Sequence, residues 1–311
     1  MTSQECNTSV HVDMALPYRI ALVCIYSLVL IIGTAGLGLM IHIVNSNMRS
    51  VIIIAMLNLS LAHLFFLVTV PFRIYYYSID YWGLGEPLCK FTSAMIHMHM
   101  YLVFVFYVVI LIIRLLGFHS KKDRYEFYSS LLFSRKLHAF GASVAVWVLV
   151  SMVVWPVLYI KYGKMHTDNT TGHSNNTTGH SNNHTRCFRF GKGLCQKKVQ
   201  VLNYILSSVT VIAASVLFAL QCHVVFILVR KYGRDCTSHQ EFWAQLKSLC
   251  IAMVLLVCFV PYQAFRIHYL RNLHLEDLNE VFLSFTALSC GDMLTFLGRR
   301  HCNLCDRIRT A

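Results

Sequence analysis

Charged side chains are scarce in this chain. They make up 13% of 311 residues, and only 14 residues are acidic. A soluble domain carries about 25%, so an ordinary water-soluble fold is excluded. Proline (5) and glycine (15) are few, which excludes a fibrous or low-complexity chain. Twelve cysteines, most inside apolar runs, are too sparse for a disulfide-built scaffold. No basic segment followed by a short apolar one precedes Pro17. No cleavable signal peptide is therefore read, and the first apolar run is expected to act as its own signal. The shortage of acid leaves a net charge of +13. Nucleic-acid binding would gather that charge on one polar domain. Here Lys and Arg separate apolar runs, so no nucleic-acid partner is expected.

What the chain does have is apolar length: 56% apolar residues and a mean hydropathy of +0.55. Seven apolar stretches run about Tyr18–Val44, Ser50–Tyr76, Cys89–Phe118, Arg135–Tyr159, Val199–Val229, Trp243–Leu270 and Leu278–Leu297. Each can cross a ~30 Å hydrocarbon core at about 1.5 Å per residue. Helix is the expected spanning form because lipid cannot satisfy open backbone groups. The stretches also lack the alternation of a membrane barrel. The expected fold class is an all-α membrane protein, a seven-transmembrane helix bundle over residues 18–297, with an N-terminal tail (1–17) and a short C-terminal tail (298–311).

Orientation follows from the loops. The first 17 residues carry no Lys or Arg, whereas Lys121, Lys122, Arg124, Arg230, Lys231, Arg299 and Arg300 lie in the segments expected on the opposite side. The positive-inside rule puts the N-terminus outside and the C-terminus in the cytoplasm. The basic loop 160–198 pulls weakly the other way, but N-x-S/T sites at Asn7, Asn169, Asn175, Asn176 and Asn183 support the same facing as N-glycosylation acceptors. Asn58 also matches, inside the second stretch, and is expected to be inert. The heptad Asn169–Asn175 is repeated as Asn176–Asn182, and the tract reads as a sugar-coated, low-complexity loop. Its four histidines lack a rigid scaffold for a metal.

Four cysteines, Cys6, Cys89, Cys187 and Cys195, fall on the expected outside. The oxidising compartment permits a bridge, but the residues alone leave the pairing open. Trp82 and Gly85 read as a tight turn with an aromatic anchor at the membrane edge. Arg114 lies 25 residues after Cys89, or about 37 Å of helix, at the inner face. An Arg in an apolar run is costly and is either functional or a stop-transfer residue snorkelling to headgroups. His97 and His99 are two apart, point to different helix faces and make a poor metal pair, so packed or hydrogen-bonded core histidines are expected and no metal site. No paired catalytic groups stand at membrane depth, which argues against an enzyme. The last stretch has no Lys for a retinal Schiff base, and the halves show no repeat of the kind transporters carry.

The order and spacing of several motifs resemble the rhodopsin-like, class A G protein-coupled receptors. Trp82 and Cys89 match that family's first outer loop. Ile113-Arg114-Leu115 stands where it carries Asp-Arg-Tyr. Trp147 matches its fourth-helix Trp, and Cys258-Phe259-Val260-Pro261-Tyr262 its Cys-Trp-x-Pro-Tyr. Asp292-Met293-Leu294-Thr295-Phe296 stands for Asn/Asp-Pro-x-x-Tyr, with Pro and Tyr lost. The stretch after Pro261 is similar to the purinergic branch, with Gln263 at its His position and Arg266 at its Arg position. Departures include a fifth stretch without proline, and His63 where the family's second helix carries Asp.

The resemblance implies a receptor in the plasma membrane that binds an extracellular ligand and passes the signal to a heterotrimeric G protein by helix rearrangement. It implies no cofactor. The alternative is a membrane binding or scavenger receptor of the same fold that does not signal, which the altered Ile113-Arg114-Leu115 motif keeps open. A Cys89–Cys187 disulfide is implied, with Cys6–Cys195 as a second bridge. A ligand pocket is expected among Arg73, His97, Tyr101, Tyr262, Gln263 and Arg266, lined from the second, third, sixth and seventh stretches. Ile96 sits where amine receptors carry Asp, which disfavours a cationic amine. The two arginines favour an anionic small molecule, a lipid or an acidic peptide segment. Otherwise they snorkel to lipid phosphates or pair with Asp80, Glu86, Glu276 or Asp277. His63 and Asp292 are expected to face each other in mid-bundle in place of a sodium site, and Arg114 to form a resting lock with Glu241. Cys302 and Cys305 are palmitoylation candidates beside basic residues.

Overall fold

The computed structural model describes residues 14–44, 51–119, 132–162, 187–188, 197–233 and 239–296. The expected glycosylation sites Asn7, Asn169, Asn175, Asn176 and Asn183 lie outside these residues, as do Cys6, Cys195 and the palmitoylation candidates Cys302 and Cys305.

All described elements are helical. They are α1 (Leu16–Val44), α2 (Val51–Ile79), α3 (Glu86–His119), α4 (Leu132–Tyr162) and α5 (Lys197–Tyr232). The sixth span consists of α6 (Gln240–Val254), a π-helical turn (Leu255–Phe259) and α7 (Val260–Tyr269). The seventh consists of α8 (Glu276–Ala287), which tightens into a 3-10 stretch (Leu288–Phe296). Among the described residues five helices are long and apolar enough to cross a membrane, and α4 holds a shorter apolar segment, Phe140–Trp155. The seven-helix expectation holds, but the seventh span departs from a plain apolar helix because its α-helical part covers only 12 residues.

Local chemistry explains the breaks. Pro261 has no N–H to donate and its ring crowds the carbonyl four residues back, so the ladder before it gives way. The wide turn at Leu255–Phe259 is that adjustment. In α5, which lacks proline, 36 residues run unbroken.

Packing is inverted relative to a soluble protein. Leu and Ile side chains point outward, with Ile31 and Leu149 about two-thirds exposed, while His63, Thr69, Arg73, His99, Glu280, Ser284 and Asp292 are buried. In water this would be costly. In lipid the outward residues match their solvent and polar groups must find partners inside. Asn58 follows the rule: its Nδ2 donates to Ser143 Oγ (3.1 Å), and Trp147 Nε1 donates to its Oδ1 (3.0 Å), joining α2 to α4. Gly33 lets α1 come close: a Cβ there would stand 2.7 Å from Leu67 Cδ2 and 3.2 Å from Cys290 Cβ.

Candidate functional site

At one end of the bundle α3 is tied by a disulfide between Cys89 and Cys187, with 5.8 Å between their Cα atoms. The turn before α3 is the one the sequence suggested. Trp82 Nε1 donates to Gly85 O (2.7 Å), and Gly85 holds φ +84°. The disulfide carries Phe188 with it. That ring is buried against Tyr76, Tyr77 and Trp82, and lies 4.4 Å from the guanidinium carbon of Arg73.

Arg73 is fully buried. Its Nη1 donates to Tyr26 Oη (3.3 Å) and its Nη2 to Thr92 O (3.1 Å). Beside it Tyr77 Oη donates to Glu280 Oε2 (3.3 Å), and both Arg73 and Arg266 act electrostatically on that carboxylate. Arg266 is buried in the last turn of α7, where Nε and Nη2 both donate to Asn203 Oδ1 (3.1 and 2.6 Å) and Nη1 to Tyr262 Oη (2.5 Å). One turn further in, Ser207 Oγ donates to Gln263 Oε1 (2.8 Å) and Gln263 Nε2 approaches Met100 Sδ (3.5 Å). Tyr101 lies within electrostatic reach of Arg266, and His97 is buried on α3. The structure therefore gathers Tyr101, Tyr262, Gln263 and Arg266, with Arg73 joined to them through Glu280.

Both arginines are enclosed in hydrogen-bonded networks, because a guanidinium at this depth must be satisfied by protein. Two of the named acids, Asp80 and Glu86, have other partners. Asp80 pairs with Arg19 (3.2 Å), whose Nε and Nη2 also bond the carbonyls of Tyr77 and Ser78 at the end of α2, and Glu86 pairs with Lys90 (2.5 Å). The network also draws on α5, through Asn203 and Ser207.

In mid-bundle His63 Nε2 and Asp292 Oδ1 lie 3.4 Å apart. Tyr107 Oη donates to the other carboxylate oxygen at 2.6 Å. The other ring nitrogen of His63, Nδ1, lies 2.8 Å from His99 Nε2 and 3.3 Å from Cys290 Sγ. His99 is a buried core histidine whose partners come from α2 and the seventh span rather than from His97 on its own helix.

At the opposite end Arg114 and Glu241 are not in contact. Among the described residues no ion pair joins them, and Glu241 Oε2 accepts from Tyr232 Oη (3.5 Å) instead. There Gln245 Nε2 on α6 donates to the carbonyl of Arg114 on α3 (3.5 Å), and Leu115 and Phe118 pack with Phe242 and Leu246.

Sequence reasoning missed Glu280, although an acid inside an apolar stretch is a signal in itself. It missed Asn203, Ser207, Tyr107 and Cys290 because each is an unremarkable residue until its partner is known.

A bundle of seven helices with buried charge, a disulfide from α3 to the loop before α5, and a proline-broken sixth span defines a seven-helix membrane receptor. The chain belongs to the family described as 7 transmembrane receptor (rhodopsin family), whose profile matches residues 35–291. It is a multi-pass membrane protein of G-protein coupled receptor type. It is 42% identical over 285 residues to the probable G-protein coupled receptor 141 of Homo sapiens, covering 89% of this chain and 87% of that one. It is 30% identical over 256 residues to the human N-arachidonyl glycine receptor (79% of this chain, 69% of that one). It is 26% identical over 267 residues to the probable G-protein coupled receptor 34 of Pan troglodytes (79% and 61%).

Proposed function

We propose that this chain is a plasma-membrane receptor whose ligand carries a carboxylate or phosphate. Binding at the disulfide end would bias the bundle toward a state that engages a heterotrimeric G protein at the Arg114 end. The observation that carries this reading is the charge of the layer beneath the disulfide. Among the described residues the fully buried charges there are two guanidiniums, Arg73 and Arg266, and one carboxylate, Glu280. An anion exchanging with Asn203 Oδ1 would keep the two N–H donors of Arg266 satisfied and balance the second positive charge. A relative named for N-arachidonyl glycine, an acyl glycine ending in a carboxylate, supports an anionic lipid as the first class to test.

The expected facing has structural support. Arg19, at the start of α1, is bonded to the same end of the bundle as the disulfide. A bridge formed in an oxidising compartment at that end favours an outside N-terminus. Arg114 lies at the other end, where the basic loops would face the cytoplasm.

The test is G protein activation in cells, read through several G protein subtypes, with a panel of acyl amino acids, lysophospholipids and acidic peptides. For any agonist found, Arg73→Ala and Arg266→Ala at matched surface expression should each weaken potency by about tenfold or more, the scale of one lost charged hydrogen bond. A neutral or cationic agonist indifferent to both substitutions would remove the anionic site. Ligand capture without G protein activation in any subtype would support the non-signalling receptor instead.

A further inference from the structure

The mid-bundle cluster carries an inference independent of the ligand site. We infer that His63, His99 and Cys290 form a transition-metal site, and that zinc is the ion it suits.

Three lone-pair donors converge there from three spans: His63 Nδ1 from α2, His99 Nε2 from α3 and Cys290 Sγ from the 3-10 stretch. The edges of the triangle are 2.8 Å (N to N), 3.3 Å and 3.6 Å (N to S). A tetrahedral zinc ion, with Zn–N about 2.0–2.1 Å and Zn–S about 2.3 Å, holds its nitrogens about 3.3 Å apart and nitrogen and sulfur about 3.5 Å apart. Two edges match to within about 0.2 Å, and the third opens by about half an ångström on binding. All three residues are 1% exposed. A single proton cannot be shared well by three such atoms, whereas one cation at their centre satisfies them together.

The surroundings are those of a built site. With Nδ1 of His63 on the ion, its proton sits on Nε2 and faces Asp292 Oδ1 at 3.4 Å. This carboxylate–histidine arrangement orients a ligand ring and raises its basicity. Tyr107 holds the far oxygen of that carboxylate. The ring of Phe66 stacks on His99 at 4.3 Å between centroids, fixing its plane. Gly33 and Gly291 let α1 press against the 3-10 stretch that presents Cys290.

Donor chemistry selects the ion. Two imidazoles and a thiol suit zinc and neighbouring borderline metals, while sodium, magnesium and calcium want oxygen. Three protein ligands leave the fourth position for a water. Binding converts the thiol to a thiolate, and its proton is released to solvent, so occupancy falls as pH falls. An ion bridging α2, α3 and the seventh span stabilises the arrangement in which the three atoms meet. A buried site of this kind is expected to load during biosynthesis rather than by fast exchange.

The experiment uses the full chain, purified in detergent from cells grown with and without added zinc. The background carries Cys302→Ser, Cys305→Ser, His173→Ala and His180→Ala to remove two C-terminal thiols and two histidines of the sequence repeat. Elemental analysis should find about one zinc per receptor, and X-ray absorption at the zinc edge should show two nitrogen neighbours and one sulfur. Cobalt loaded in place of zinc should show a thiolate charge-transfer band. Cys290→Ser should abolish that band and lower zinc occupancy at least tenfold, while its melting temperature matches that of zinc-free parent from cells grown in zinc-depleted medium. Absence of bound zinc in the parent, or a zinc shell without sulfur, overturns the site whether or not the variant folds. Zinc occupancy or a cobalt band unchanged in Cys290→Ser also overturns it. None of these readouts depends on the ligand or on G protein coupling.

Discussion

Phe188 lies with its ring 4.4 Å from the guanidinium carbon of Arg73, and the residue before it, Cys187, is bonded to Cys89. The disulfide therefore closes a loop and also seats an aromatic lid on the buried cation. A cation against a ring is worth about 2 kcal/mol when desolvated. Phe188→Ala should lower the melting temperature of the purified receptor by an amount equivalent to about 3 kcal/mol, as for other buried Phe truncations. Phe188→Leu should lose less. If Phe188→Ala melts with the parent, the lid contributes nothing to the resting fold.

The loop closed by the disulfide spans 98 residues. The chain-entropy model gives about 4–5 kcal/mol for such a loop, an upper bound here because helices already inserted in lipid have less freedom to lose. Cys187→Ser should cost more stability than Phe188→Ala, since it releases both the tether and the lid. Thermal denaturation of the two variants side by side checks the order.

Arg266 depends on Asn203, which accepts two of its N–H groups at 3.1 and 2.6 Å. Asn203→Ala should destabilise the receptor by about 1.5–3 kcal/mol, the range for a hydrogen bond to a charged group. Asn203→Asp keeps the acceptor and supplies the missing negative charge, so it should retain stability while weakening any anionic agonist. An anionic agonist as potent on Asn203→Asp as on the parent would place its acid group elsewhere.

Sodium should have no specific effect. The position opposite Asp292 is filled by His63, and Tyr107 already occupies the second carboxylate oxygen at 2.6 Å. Replacing sodium chloride by choline chloride at constant ionic strength should leave the melting temperature unchanged. A rise specific to sodium would show that the carboxylate is available to a hard cation.

At the inner end a hydrogen bond from Gln245 to the Arg114 carbonyl joins α6 to α3, whereas Glu241 accepts from Tyr232. A hydrogen bond of this kind is worth about 0.5–1.5 kcal/mol. Its loss should shift a two-state equilibrium by about twofold to tenfold. Gln245→Ala should raise basal G protein signalling by that factor at equal surface expression, and Glu241→Gln should raise it less. The reverse order would restore an Arg114–Glu241 lock as the main restraint.

The number of spans, their positions and the break at Pro261 were legible in the sequence because they follow from local rules. Hydrocarbon thickness sets the length of an apolar run, and proline cannot donate a ladder bond wherever it stands. That Asp292 needs a partner was legible as well, since a carboxylate at that depth requires one. The geometry of the site was not legible. Arg73 is one residue in the sequence, but its environment comes from Tyr26 on α1, Thr92 on α3 and Phe188 across a disulfide. Asn203 gives no local sign that it will face Arg266, 63 residues away. Cys290 reads as one more apolar-run cysteine until α2 and α3 bring His63 and His99 to its sulfur. Sequence by itself determined a chain that must fold as helices in lipid, because backbone satisfaction and hydrophobic length are local. Only the tertiary structure decided which buried polar groups meet, because that depends on the rotation and closeness of packed helices, which apolar faces with lipid on every side leave unmarked.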